Sequence, residues 1–263
     1  MDARMIRAGF EENGYHVART VFDAATIAEL THDFDRIVQQ LHASGEDIDA
    51  TWDSASAYAG ATDHQIVHTH NVRNYSARWM AALQDPRLLD VVEAIVGPDI
   101  VLHHSKLFQK PAGEGSPFPM HQDWRYFPTR DDSMIAAIVH LTDATVDMGC
   151  VRVVPGSHRL GRVPSSSGRM IWDEPGEYQE FLAAHPIDDA VPIEAAPGDV
   201  LFFSYFTVHG SGPNLSSLPR KTVLAQLYSG SDELDPTSTH PVSGQVLRGW
   251  NHAATRESVA NAS

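Results

Sequence analysis

From residue 99 onward the chain is a series of short alternating apolar runs divided by turn residues, and this restricts the fold more than any other feature. The runs 100–110, 134–141, 150–154, 200–206 and 222–228 carry the two-residue period of β-strands. Their separators, PAGEG at 111–115, PGSH at 155–158 and APGD at 196–199, have the glycine and proline of tight turns. The segment before them has a different period. Asp23 can cap a helix in which Ile27, Leu30, Phe34, Ile37, Val38 and Leu41 recur at steps of three and four, closed by Gly45. A second helical pair covers roughly residues 76–95, broken near Pro86 and ended by Gly97. Helices first and many short strands later predict a mainly β fold, a sandwich or jelly-roll core with helices packed on one side.

Two stretches interrupt this plan. Residues 46–75 are polar and read as a loop that covers something, and 163–190 reads as an insertion of the kind that forms lids or substrate loops. With no repeat and no clean linker, one domain is expected: a helical part over about 1–98, the jelly-roll core over about 99–230 and a tail over 231–263. At 263 residues and 42% hydrophobic content, a sizeable core can form. The net charge of −15 speaks against a nucleic-acid partner and against an anionic membrane surface. The lone Cys150 rules out an intrachain disulfide and a cysteine-based zinc site, and it reads as a small buried apolar residue. No apolar run at the N-terminus is long enough for a signal peptide or a membrane span, so a cytoplasmic protein is expected.

Chemistry concentrates at His121-Gln122-Asp123. In an extended strand, residues i and i+2 share a face about 7 Å apart, close enough for an imidazole and a carboxylate to converge on one ion. His209, at the end of the run VLFFSYFTVH, is the best third ligand. Two histidines and a carboxylate leave three coordination positions open, the requirement for iron(II) oxygen chemistry, whereas a structural zinc site is closed by four protein ligands. Alone, His-x-Asp is more often a surface turn. Arg220, eleven residues after His209, changes that reading: a hairpin there would return its guanidinium beside His209, where it can grip a dicarboxylate, with Ser211 adding a hydroxyl.

The segments HQDWRYFP, GCVRVVPGSH, PGDVLFF and VHGSGPNLSSLPRKT, in this order and spacing, resemble the signature segments of the phytanoyl-CoA dioxygenase family of Fe(II)/2-oxoglutarate-dependent oxygenases. FEENGYHVARTVFDAATIAEL is similar to the family's helical entry. The resemblance implies a double-stranded β-helix core and Fe(II), 2-oxoglutarate and O₂ as cofactor and cosubstrates. It assigns iron to His121, Asp123 and His209, and the distal 2-oxoglutarate carboxylate to Arg220 with Ser211. Relatives that halogenate lack the carboxylate, so Asp123 implies oxygenation rather than chlorination. In relatives the strand matching LHHSKLFQK lines the cavity, which makes Lys106 or His104 contacts for the cosubstrate or an anionic substrate, with Phe108 beside them. Trp124 and Tyr126 follow the metal motif and are expected to wall the pocket, with Arg73 reaching its mouth. Where the family's namesake carries a tryptophan after the metal motif, this chain has Val139, a departure that argues against copying an acyl-CoA substrate.

The expected function is therefore hydroxylation, or another oxidation, of an unactivated C–H bond in a small molecule such as a secondary metabolite or amino-acid-like compound. The competing readings are a phytanoyl-CoA-type acyl-CoA 2-hydroxylase and a non-catalytic jelly-roll metal binder. The binder would not need Arg220 in register with His209.

Overall fold

The computed structural model describes residues 2–46, 49–50, 66–113, 115–163, 175–238, 240 and 242–261. Helix α1 (Ala3–Asn13) is capped by the Asp2 side chain, and strand β1 (Tyr15–Ala18) follows it. Helix α2 (Ala24–Ser44) starts as its sequence requires, the Asp23 carboxylate accepting the Thr26 N–H at 2.8 Å, and it stops at Gly45, which takes a left-handed φ of 75°. Strands β2 (Asp49–Ala50) and β3 (Ile66–His70) lie inside the stretch expected to be a loop, of which 51–65 falls outside the described residues. Helices α3 (Ala77–Ala82) and α4 (Pro86–Val96) match the expected pair, with Pro86 opening α4 at the first turn, where no N–H is needed.

The strands follow: β4 (Ile100–Lys110), β5 (Phe118–His121), β6 (Ile135–His140), β7 (Val151–Val153), and, after helix α5 (Pro175–Ala184), β8 (Val191–Ile193). Of the expected insertion at 163–190, residues 164–174 lie outside the described residues and α5 occupies much of the rest. Strands β9 (Val200–Ser204), β10 (His209–Ser211) and β11 (Arg220–Ser229) complete the core. The tail contributes β12 (Gln245–Arg248), paired with β4, and helix α6 (Arg256–Asn261). No helix among the described residues is long and apolar enough to cross a membrane.

Two antiparallel sheets face each other as a jelly roll. The larger runs β1-β9-β6-β11-β4-β3-β2 with β12 on β4, and the smaller runs β5-β10-β7-β8. Strand alternation decides which side chains go where. Ile135, Ala137, Val139, Val200, Phe202, Val223, Ala225 and Leu227 pack with the helices in one cluster. Their neighbours Ala136, Ile138, Leu201 and Phe203 point between the sheets. The large sheet is thus buried on both faces, which explains its near-continuous apolar runs. It turns one face to the helices and the other to a cavity.

Candidate functional site

Strands β5 and β10 bring two imidazoles together, with His121 paired directly to His209 and ring centroids 4.3 Å apart. His209 does not end the strand that begins at Val200. That strand stops at Ser204, and the chain crosses to the smaller sheet before β10 begins. Asp123 likewise lies past the end of β5, held by N–H bonds from itself and Trp124 to the Tyr205 carbonyl. It reaches the same point from a turn rather than by strand alternation. One Asp123 oxygen stands 3.3 Å from Nε2 of His121 and 3.8 Å from Nε2 of His209.

The donor set suits a divalent metal. Nδ1 of His121 lies 2.8 Å from the Pro119 carbonyl and Nδ1 of His209 lies 2.9 Å from that of Thr207. Only an N–H can satisfy a carbonyl, so both Nδ1 atoms carry the proton and both Nε2 atoms turn a lone pair inward. Burial first, then the neighbouring His121 ring, brings the His209 pKa down to about 4, keeping the His209 ring neutral at ordinary pH. Burial would raise the Asp123 carboxyl, but His209, His121 and Lys106 outweigh it and hold it well below the usual carboxylate range. Its second oxygen accepts a 2.8 Å hydrogen bond from Nε2 of Gln226, which fixes the carboxylate plane.

From the triad a cavity of about 290 Å³ runs along the paired strands β4 and β11, whose register lists its wall. Arg220 stands opposite Lys110, Thr222 opposite Phe108, Leu224 opposite Lys106 and Gln226 opposite His104. Arg220 closes one end, 5% exposed, with one N–H donated to the Gly149 carbonyl and a buried Nε without a partner. Among the described residues no carboxylate pairs with it. Burial lowers its pKa to about 10, leaving it charged. Fully buried Lys110 sits at the same end, its Nζ donating to Ser211 Oγ at 2.7 Å and to the Gly212 carbonyl at 2.5 Å, its pKa depressed by burial and then by Arg220. A buried cation with no anion is costly. Arg220 is such a cation, and Lys110 beside it adds N–H donors although burial disfavours its charged form, so this end suits an acid.

The other end is imidazole-rich: His68, His70, His104 and His240 line it with Lys106, Phe108, Tyr126 and Phe127. Three expected pocket residues are elsewhere. Val139 alternates to the helix-facing side of β6, and its neighbour Ile138 lines the cavity instead. Trp124 turns away, its Nε1–H donated to Gln122 Oε1 at 3.0 Å and its ring flanked by Arg125 and Arg162. Arg73 sits on a 3₁₀ turn at 72–74 and does not reach the wall. The sequence reading also missed Lys110, Thr222 and Gln226. Each continues an alternation already in hand, 104-106-108-110 on β4 and 220-222-224-226 on β11. His240 had no such signal, because only the tertiary fold brings the tail here.

Among family models, that described as "Phytanoyl-CoA dioxygenase (PhyH)" matches residues 10–222. A probable alpha-ketoglutarate-dependent hypophosphite dioxygenase of Stutzerimonas stutzeri is 27% identical over 227 residues, 84% of this chain and 76% of that protein. Human peroxisomal phytanoyl-CoA dioxygenase is 29% identical over 233 residues, 85% of this chain and 67% of that protein. In fold, the chain is similar to the non-heme alpha-ketoglutarate-dependent epimerase SnoN from nogalamycin biosynthesis, at a TM-score of 0.72, 24% identity, and coverage of 92% of this chain and 90% of that one.

Proposed function

The chain belongs to the phytanoyl-CoA dioxygenase family, and on that premise we propose that His121, Asp123 and His209 hold its iron and that Arg220, Lys110 and Ser211 receive the distal carboxylate of 2-oxoglutarate. The reaction class is that of an Fe(II)- and 2-oxoglutarate-dependent dioxygenase. The observation that carries the residue assignment is the unpaired Arg220 guanidinium, buried beside Lys110 at one end of a cavity whose middle holds the triad. Ferrous iron bound there would supply O₂ activation coupled to decarboxylation of the cosubstrate to succinate and CO₂. The protein's own part is to hold two imidazoles by backbone carbonyls, orient Asp123 through Gln226, and keep water from His209 with the Phe203 ring, 4.3 Å away between centroids.

A compact substrate fits this cavity. At about 290 Å³ it lies at the small end of ligand pockets, roughly 300–1,000 Å³, and the cosubstrate takes a share. The imidazole and ammonium lining favours a polar molecule, such as a secondary metabolite or amino-acid-like compound, over a long acyl chain. The two relatives named above act on small molecules by their names. The acidic net charge supports a chain without a nucleic-acid or membrane-surface partner, and the single buried thiol suits a reducing cytoplasm.

The test is incubation with iron(II), ascorbate and 2-oxoglutarate while succinate is measured, with and without a panel of small polar substrates. Succinate formation that Asp123→Gly abolishes is expected. Undiminished turnover in that variant would sink the ligand assignment.

A further inference from the structure

A β-bulge in β4 puts two consecutive histidines on the cavity side of the sheet. The ladder to β11 passes from Gln226 opposite His104 to Leu227 opposite Leu102, so His103 is the extra residue. Leu102 and Leu107 both face the helices although five residues apart, a parity that strict alternation forbids and one extra residue allows. The His103 ring accordingly lies against Phe127, 5.2 Å between centroids, and its Nδ1 is 2.7 Å from Nδ1 of His104. His240 stacks on His104 at 4.3 Å, and its Nε2 is 3.3 Å from Nε2 of His70 on β3.

Four imidazoles from three separate parts of the chain therefore meet beside the triad, to which they connect through Gln226, opposite His104 on β11 and bonded to Asp123. Ring nitrogens of His103, His104 and His240 all lie within 4.8 Å of one another. Nε2 of His103 and Nε2 of His104 are both buried without a hydrogen-bond partner, a state that a ligand would relieve. Burial first, then the neighbouring Lys106 and histidines, bring His70 and His103 to about 3 and push His104 down too, so these rings are neutral and offer lone pairs.

We propose that His103, His104 and His240, with His70 as a fourth donor, form a second metal site, separate from the triad, that takes a zinc-like divalent transition ion. All-imidazole donors suit zinc, copper or nickel and disfavour the hard oxygen-seeking ions. Bonds of 2.0–2.1 Å in a tetrahedron place ligand nitrogens about 3.3 Å apart, the spacing of His70 and His240. Ligation through both Nε2 atoms puts the ring proton on both Nδ1 atoms, so the Nδ1–Nδ1 hydrogen bond of His103 and His104 opens when the ion binds. An ion here ties β3, the bulge of β4 and the segment bearing His240 into one wall of the substrate end.

The test uses the full chain carrying His121→Ala and His209→Ala, stripped with a chelator and titrated with cobalt(II), then zinc. One equivalent per chain is expected, with the intense visible absorption of four-coordinate cobalt, bleached when zinc displaces it. Adding His240→Ala, at a partly exposed position, should leave the circular-dichroism spectrum unchanged and weaken binding at least about tenfold, the effect that loss of an outer-shell partner alone can have. The double variant binding no metal, or binding it equally well with and without His240, overturns the proposal and leaves the histidines as hydrogen-bonding groups for the organic substrate.

Discussion

Arg220 and Gln226 act at opposite ends of one strand face, and each answers to a different measurement. Arg220 meets no anion among the described residues, so its charge is free for the proposed cosubstrate carboxylate. Arg220→Ala should raise the KM for 2-oxoglutarate and cut kcat/KM by the equivalent of roughly 2–5 kcal/mol, as for one partner removed from a desolvated charge pair. Steady-state succinate kinetics check this, and an unchanged KM would place the carboxylate elsewhere. Gln226 touches only the oxygen of Asp123 that faces away from the histidines. Gln226→Leu keeps the bulk and loses the hydrogen bond. Iron affinity should drop by about 10–100-fold, the usual cost of removing an outer-shell partner, read by anaerobic iron titration, while the KM for 2-oxoglutarate at saturating iron stays put.

At the scale of elements, β4 and β11 carry the cavity and the loops aim its ends. Gly149 illustrates the second part. It adopts a φ of +65°, a Cβ there would lie 2.4 Å from the Gly212 carbonyl oxygen, and its own carbonyl accepts from Arg220. Gly149→Ala should therefore destabilise the fold by at least about 1–2 kcal/mol from the left-handed backbone alone, and should also raise the KM for 2-oxoglutarate by moving Arg220. A thermal melt with the succinate assay separates the two effects, and a variant as stable as the parent would contradict the contact. Strands β4, β6, β7, β9 and β11 were legible because alternation and turn residues are local signals, and so was the Asp23 helix. Strands β1, β3, β10 and β12 were not, because they are three to five residues long and hold only through their partners.

For the molecule as a whole, burying so many neutral histidines makes acid the weak direction. His140 and His209 fall to about 4 and His70 and His103 to about 3 from an ordinary 6.5. The unfolded chain takes up these protons first, so stability is complete above pH 6.5 and is lost as the pH falls toward 4. Asp123, held low, adds its own loss only at still lower pH. The Tm of the metal-free protein should be level above neutrality and fall steadily between pH 6.5 and 4, and a flat profile there would contradict the buried neutral state. By itself the sequence determined the jelly-roll class, because strand period and turn residues are written locally, and its resemblance to a family made His121, Asp123, His209 and Arg220 the candidates. Only the tertiary structure decided that Asp123 arrives from a turn and His209 from the second sheet, and that Val139 faces the helices. It alone brought His240 to the histidine end. Those facts depend on which strand lies beside which, on a bulge that shifts parity, and on the desolvation that closure of the two sheets imposes, none of which a single strand's residues specify.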